Sequence, residues 1–264
     1  MKTNSVVSHV RVRLNRRKFV VAGLGLAAML VTVICAGAPT ETPAAQASKD
    51  PVKPMRIGVI GAGSLGGTVG RVLVQAGHEV MFSSRHPEEL ASMIRDLGPR
   101  ASTGTSREAA EFGTVLLFAV PYDALPELGR DLKDVIRGKI VLDACNPPGA
   151  SENALAREAK ANGVGPTSPK YLPGTRLVRA FSAVDATAVD ASFKRQSDKL
   201  GVPLAGDDVE ALQVAAQLVR DAGCEPVIVG NLAAGTSFQR NAPGFRANTT
   251  AAKLRALLGL TEGK

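Results

Sequence analysis

From residue 55 onward, short apolar runs alternate with amphipathic stretches, regularly enough to predict elements. "MRIGVI" (55–60) is a β-branched run closed by glycine, as in a buried strand. "SLGGTVGRVLVQAG" (64–77) has apolar residues at helical spacing and a stop at Gly77. "HEVMFS" (78–83) predicts the second strand. "PEELASMIRDLG" (87–98) predicts a helix, with Pro87 in its first turn, acids early and Gly98 at its end. "SREAAEFG" (106–113) predicts a short helix. "TVLLFAVP" (114–121) is apolar throughout, as in a strand covered on both faces. "DALPELGRDLKDVI" (123–136) predicts a helix despite Pro126. "KIVLDACNPPG" (139–149) predicts a strand running into a rigid loop, and "SENALAREAKANG" (151–163) a helix capped by Ser151.

The Pro/Gly-rich segment 163–175 reads as a surface connection. Beyond it the pattern resumes. "RLVRAFS" (176–182) and "VPLAGDD" (202–208) predict strands, the second leading to Asp207 or Asp208 as a helix cap. "VEALQVAAQLVRDAG" (209–223) predicts an amphipathic helix and "CEPVIVG" (224–230) a last strand. The tail reads as helical with a loop at 241–246. Alternating strands and helices imply a parallel sheet with helices on both faces.

Residues 11–47 break this pattern. Arg16-Arg17 precede an uncharged run from Phe19 to Ala38, followed by a Pro/Thr/Ala stretch ending Ala45-Gln46-Ala47. A basic start, an apolar middle and a small-x-small site form the order of an export signal. "NRRKFV" resembles the twin-arginine translocation motif, which implies an exported, periplasmic protein cut after Ala47. The alternative is an uncleaved anchor, since the 20-residue run is long enough to span a bilayer. Ile34 before Cys35 is too bulky for a lipidation site. The division predicted is an export signal at 1–47, a linker at 48–54, a nucleotide-binding domain at 55–235 and a helical tail at 236–264.

Charge follows the same division. Six of the 32 Lys and Arg residues and one of the 24 Asp and Glu residues lie in 1–47, leaving 26 basic against 23 acidic in the rest. A nearly neutral body lacks the clustered cations that nucleic acid requires, and 4% aromatics with no Trp provide no stacking platform. Beyond the leader only Cys145 and Cys224 remain, too few for a disulfide framework, and they read as separate buried thiols.

The candidate chemistry lies at Gly61-Ala62-Gly63-Ser64-Leu65-Gly66, a G-x-G-x-x-G between a predicted strand and a predicted helix. Gly61 makes the tight turn, Gly63 admits a pyrophosphate to the backbone, and Gly66 lets helix and strand pack closely. The helix start offers unpaired N–H groups to the phosphates. This makes the fold class α/β: a doubly wound, mostly parallel Rossmann sheet with a small C-terminal helical extension. An acid usually closes the second strand of an NAD site. Here Ser83, Ser84 and Arg85 stand there, and Arg85 offers a planar fork to a 2′-phosphate while the serines add hydroxyls. The cofactor expected is NADP(H).

The turn, "FSSR" (82–85), "AVPYDAL" (119–125), "DACNP" (143–147) and "RAFSAV" (179–184) occur in this order. Together they resemble the NADP-dependent oxidoreductases of the deazaflavin-coenzyme (factor 420) type, over roughly 55–235. The resemblance implies that Ala62, Gly63, Ser64, Leu65, Ser84 and Arg85 hold NADP, and that Ala119, Val120 and Pro121 lie along it. It also implies that Asn146 and Pro147, with Phe181 and Ser182, line the nicotinamide and acceptor side. The second substrate implied is a deazaflavin, a flavin or another small two-electron acceptor, and the C-terminal helices are implied to form a homodimer. The chain departs from the family at Glu89, where a second basic residue is common, at "AFS" in place of "AFN", and in its export signal.

Hydride transfer between two stacked rings needs proximity rather than a side-chain nucleophile. The sequence carries no C-x-x-C, no paired histidines and no G-x-S-x-G, so no metal site and no catalytic acid or base is predicted. Three readings follow. The first is an NADPH-dependent oxidoreductase with a two-electron acceptor. The alternatives are a dehydrogenase of a small carbonyl or imine, for which the 34 residues after 230 are short, and a non-enzymatic NADP-binding protein.

Overall fold

The computed structural model describes residues 53–149 and 153–261; the predicted leader and Ser151 lie outside them. β1 (Arg56–Ile60), α1 (Ser64–Gln75) and β2 (Glu79–Ser83) open the fold. α2 (Ala91–Leu97), β3 (Ala101–Gly104), α3 (Ser106–Phe112), β4 (Val115–Phe118), α4 (Leu125–Asp131), α5 (Lys133–Ile136) and β5 (Ile140–Asp143) follow. The second half runs α6 (Ala154–Asn162), α7 (Val164–Tyr171), β6 (Arg176–Arg179), α8 (Ala186–Lys194), β7 (Gly201–Gly206), α9 (Val209–Asp221), β8 (Glu225–Gly230) and α10 (Ala251–Leu257).

The strands form one sheet in the order β3-β2-β1-β4-β5-β6-β7-β8. All neighbours pair in parallel except β6 and β7, which are antiparallel. The apolar strands explain the two-sided winding. Along β4, Val115 and Leu117 enter one core while Leu116 and Phe118 enter the other. β5 divides in the same way, with Ile140 and Leu142 on one face and Val141 on the opposite one. Successive side chains of a strand point to opposite faces, so a continuous apolar run feeds both layers. α1, α8 and α9 cover the first core; α3, α4, α6 and α7 border the second.

Several expectations are corrected. Segment 163–175 is not a surface connection: α7 occupies most of it, with Val164, Gly165, Thr167 and Ser168 buried. Pro166 falls in the first turn, where an N–H would have no helical partner, so the helix tolerates it. The stretch 123–136 is broken at Leu132 into α4 and α5, and 87–98 begins as a 3-10 turn over Pro87–Leu90. β3 and α8 are additional elements. The tail contains a 3-10 turn, Leu232–Phe238, and the short α10, which packs Ala251 and Leu254 against Val227 of β8.

Caps account for several boundaries. Thr105 and Glu108 form a reciprocal capping box on α3, and Asn153 caps α6 by accepting from Ala156 N at 2.7 Å. His78 is fully buried. Its Nδ1 accepts from Met55 N at 3.1 Å, so its Nε2–H faces Asp221 Oδ2 at 3.0 Å, tying β1, β2 and α9 together.

Asp208, not Asp207, caps α9, accepting from Ala211 N at 2.9 Å. Arg176 grips the same carboxylate from β6 through Nε at 2.6 Å and Nη2 at 2.7 Å. That grip holds the Asp208 carboxyl well below the usual carboxylate range. Both side chains remain about a third exposed (31% and 35%), so solvent screens the pair. Asp208→Ala should therefore cost about 1–2 kcal/mol in urea denaturation at pH 7, mostly from the cap. The folded-state pKa lies below the unfolded one, so this contribution is complete above about pH 4 and fades as pH falls through the folded-state value. A difference that stays constant down to about pH 2 would contradict this account.

Candidate functional site

The strand order reverses between β1 and β4, and at such a point a crevice opens outside the carboxyl ends of the strands. The sequence fits its backbone to that crevice. Gly61 follows β1 with φ +97°, and a Cβ there would lie 2.7 Å from Ala119 O and from Val120 Cγ1. A Cβ on Gly66 would lie 2.1 Å from Gly61 O. Both glycines are thus required by packing. Gly63 differs: no atom lies within 4 Å of where its Cβ would be. It leaves an open approach to the start of α1.

That start is suited to an anion. Gly67 N donates to Gly63 O at 2.7 Å, which leaves the amides ahead of it as the unspent donors of a helix terminus. No acid sits in the first turn, and the Gly63 cap brings no side chain. Gly61 N and Ala62 N donate to Ser83 O at 3.2 and 2.8 Å, fixing the turn to the end of β2. Ser64 is exposed and Leu65 half-buried against the first core. A pyrophosphate can reach these amides, so the residues present fit a dinucleotide.

At the end of β2 the three candidates diverge. Ser83 is 1% exposed and its hydroxyl donates to Val59 O at 3.1 Å, with Ser106 Oγ 3.4 Å away. Its hydroxyl is spent within the fold. Ser84 is half-buried, its Oγ accepting from His86 N at 3.0 Å. Arg85 is exposed, and among the described residues no hydrogen bond or ion pair engages its guanidinium. Glu89 is exposed on the same segment.

The other end of the crevice contains an arrangement the motif reading missed. Asp143 and Arg179 are register partners at the ends of β5 and β6. Both are buried, 0% and 1% exposed, and Arg179 Nη1 donates to Asp143 Oδ2 at 2.7 Å. Arg179 also donates to Cys145 O at 2.7 Å and, through Nη2, to Asn146 Oδ1 at 2.9 Å. Asn146 Nδ2 then donates to Ser182 O at 2.7 Å. This chain of bonds ties the Asn146-Pro147 loop to the Phe181-Ser182 loop. A signal was available, since a charge inside a buried apolar strand must find a partner: "IVLD" carries Asp143, and "RLVR" carries the buried Arg179 besides the half-buried Arg176.

Phe181 is fully buried with φ +57°. A bulky residue in the left-handed region costs about 1–3 kcal/mol and persists where its surroundings over-determine it. The next residue, Ser182, has a buried hydroxyl with no partner among the described residues. Ala119 and Val120 lie half-buried and Pro121 exposed after β4, between the two ends of the crevice. Burial pushes the Tyr122 phenol up to about 12 and the Cys145 thiol well above its ordinary range, so both stay protonated near neutral pH. Cys224 is also a buried free thiol, pushed up to about 11 by burial.

Residues 56–147 match the family model described as NADP oxidoreductase, coenzyme F420-dependent. The chain carries an NADP-binding oxidoreductase domain. It is 28% identical over 181 residues to the F420-dependent NADP reductase of Methanothermobacter marburgensis, which covers 62% of this chain and 78% of that protein. It is 25% identical over 189 residues to Metalloreductase STEAP3 of Rattus norvegicus, which covers 72% of this chain and 36% of that protein. The chain spans about a third of the length of the metalloreductase relatives it matches. A hypothetical protein of Sinorhizobium meliloti has the same fold, with a TM-score of 0.62 at 23% identity over 75% of this chain and 96% of that one.

Two predictions follow from the buried groups. Arg179→Met alone leaves Asp143 buried without its partner and should cost about 3–5 kcal/mol in urea denaturation, whereas Asp143→Leu with Arg179→Met should recover most of that loss. A single-variant loss under about 1 kcal/mol would contradict the network. Cys145 and Cys224 should resist a thiol reagent at pH 8 in the native protein and react once urea unfolds it. Rapid native reaction of either would contradict their burial.

Proposed function

We propose that the protein binds NADPH along the carboxyl edge of the sheet and passes its hydride to a small two-electron acceptor with a flavin- or deazaflavin-like ring. The observation that carries this reading is the glycine turn: Gly61 and Gly66 are packed shut while Gly63 leaves the start of α1 open to a pyrophosphate. Gly63, Ser64 and Leu65 hold the phosphates through backbone amides, Ala62 shapes the turn with its amide held on Ser83 O, and Ser84 and Arg85 hold the 2′-phosphate.

NADPH supplies the hydride, and the protein supplies the geometry. Ala119, Val120 and Pro121 run beneath the cofactor. The Arg179 network fixes Asn146 and Pro147 against the Ser182 backbone, which makes a rigid floor for the second ring, while Phe181 is packed into the first core. No side chain is assigned a proton-transfer role. The acceptor is the point on which the named relatives differ, one being called F420-dependent and the other a metalloreductase. The exported reading rests on the twin-arginine leader alone.

Titration of the full chain with NADPH and NADH tests the assignment. NADPH should bind about tenfold or more tightly than NADH, a difference of about 1.4 kcal/mol, and Arg85→Ala should abolish the preference while sparing NADH. Equal affinity for the two nucleotides, or a preference that survives Arg85→Ala, would falsify the 2′-phosphate reading.

A further inference from the structure

A pocket of about 80 Å³ lies between the loop after β5, α6, the start of α7 and residues 239–241. Pro147, Pro148 and Gly149 form one wall, Lys160 and Arg240 supply the charge, and no acidic side chain lines it among the described residues. Its volume admits several waters or one compact group and is far below the ~300 Å³ of a whole cofactor site.

Arg240 is exposed yet held from three sides. Its Nε donates to Pro147 O at 3.3 Å. Its guanidinium lies over the Phe245 ring, 5.1 Å from the centroid. Its flat side rests on Gly149, where a Cβ would come within 3.2 Å of Cδ and 3.4 Å of Nη1. Gln239 fixes the same segment to α7 by accepting from Val164 N at 2.9 Å. The Nη donors of Arg240 and the ammonium of Lys160 have no partner among the described residues. A guanidinium ordered in advance, with donors unspent, loses little entropy when it binds an anion.

We propose that this pocket receives the anionic group, a phosphate or carboxylate, carried by the two-electron acceptor. The inference rests on the reading above that the Asn146-Pro147 loop faces the acceptor, since Pro147 belongs to both the loop and the pocket. Arg240 and Lys160 thereby select acceptors with a charged side chain over neutral ones with the same ring, and anchor the ring beside Pro147.

FMN and riboflavin share one ring and differ by a phosphate, so the pair isolates that group. Each is titrated into the full-length protein by quenching of flavin fluorescence, with and without NADP⁺. FMN should bind about tenfold more tightly than riboflavin. Arg240→Gln should remove most of that preference, and Lys160→Gln, at an exposed helix position, part of it. Riboflavin affinity should stay unchanged in both variants. Inorganic phosphate at about 50 mM should weaken FMN and spare riboflavin beyond general screening. Equal binding of the two flavins, binding of neither, a preference that survives both substitutions, or equal weakening of both flavins by phosphate would each overturn the proposal. NADPH titrated into the same samples separates the two readings: its failure to bind strikes the proposed function, while the flavin pair without nucleotide still decides the pocket.

Discussion

The ion pair between Asp143 and Arg179 is the constraint on which the upper edge of the sheet depends. Both charges are out of water, so each is tolerable only with the other and with further hydrogen bonds. Arg179 meets that demand by donating to Cys145 O and Asn146 Oδ1. Desolvation therefore forces the two loops that follow β5 and β6 into one arrangement. The strained backbone at Phe181 fits the same picture, because a bulky residue stays at positive φ only where tertiary contacts leave no alternative.

The other end of the crevice is held by sterics instead of charge. Gly61 and Gly66 allow β1, α1 and the segment after β4 to approach more closely than any side chain permits. The two devices sit along one edge, separated by Ala119, Val120 and Pro121. One leaves the start of α1 open to an anion, and the other fixes the loops that follow β5 and β6 against each other. Between them, the two apolar cores keep β1, β4 and β5 in register, so neither device can move alone.

Much of this was legible in the sequence. Continuous apolar runs such as "TVLLFAVP" announce strands buried on both faces, and G-x-G-x-x-G between strand and helix announces the turn. Four things were not. The Pro/Gly content of 163–175 suggested a connection, yet first-turn Pro166 and buried Gly165 are compatible with α7. The antiparallel pairing of β6 with β7 follows from the path through α8, which strand periodicity does not encode. Ser83 is adjacent in sequence to Ser84 and Arg85, but strand alternation turns its hydroxyl inward to Val59 O. Asp143 and Arg179 lie 36 residues apart, and only the β5–β6 register brings them together.

The most direct test of the account is backbone hydrogen exchange of the full chain with and without NADP⁺. Protection should appear at Ala62–Gly66, at Ser84–Arg85 and after β4 at Ala119–Val120, with α9 and β8 unchanged. Protection confined to other segments, or no protection at saturating NADP⁺, would contradict a dinucleotide lying along the carboxyl edge of the sheet.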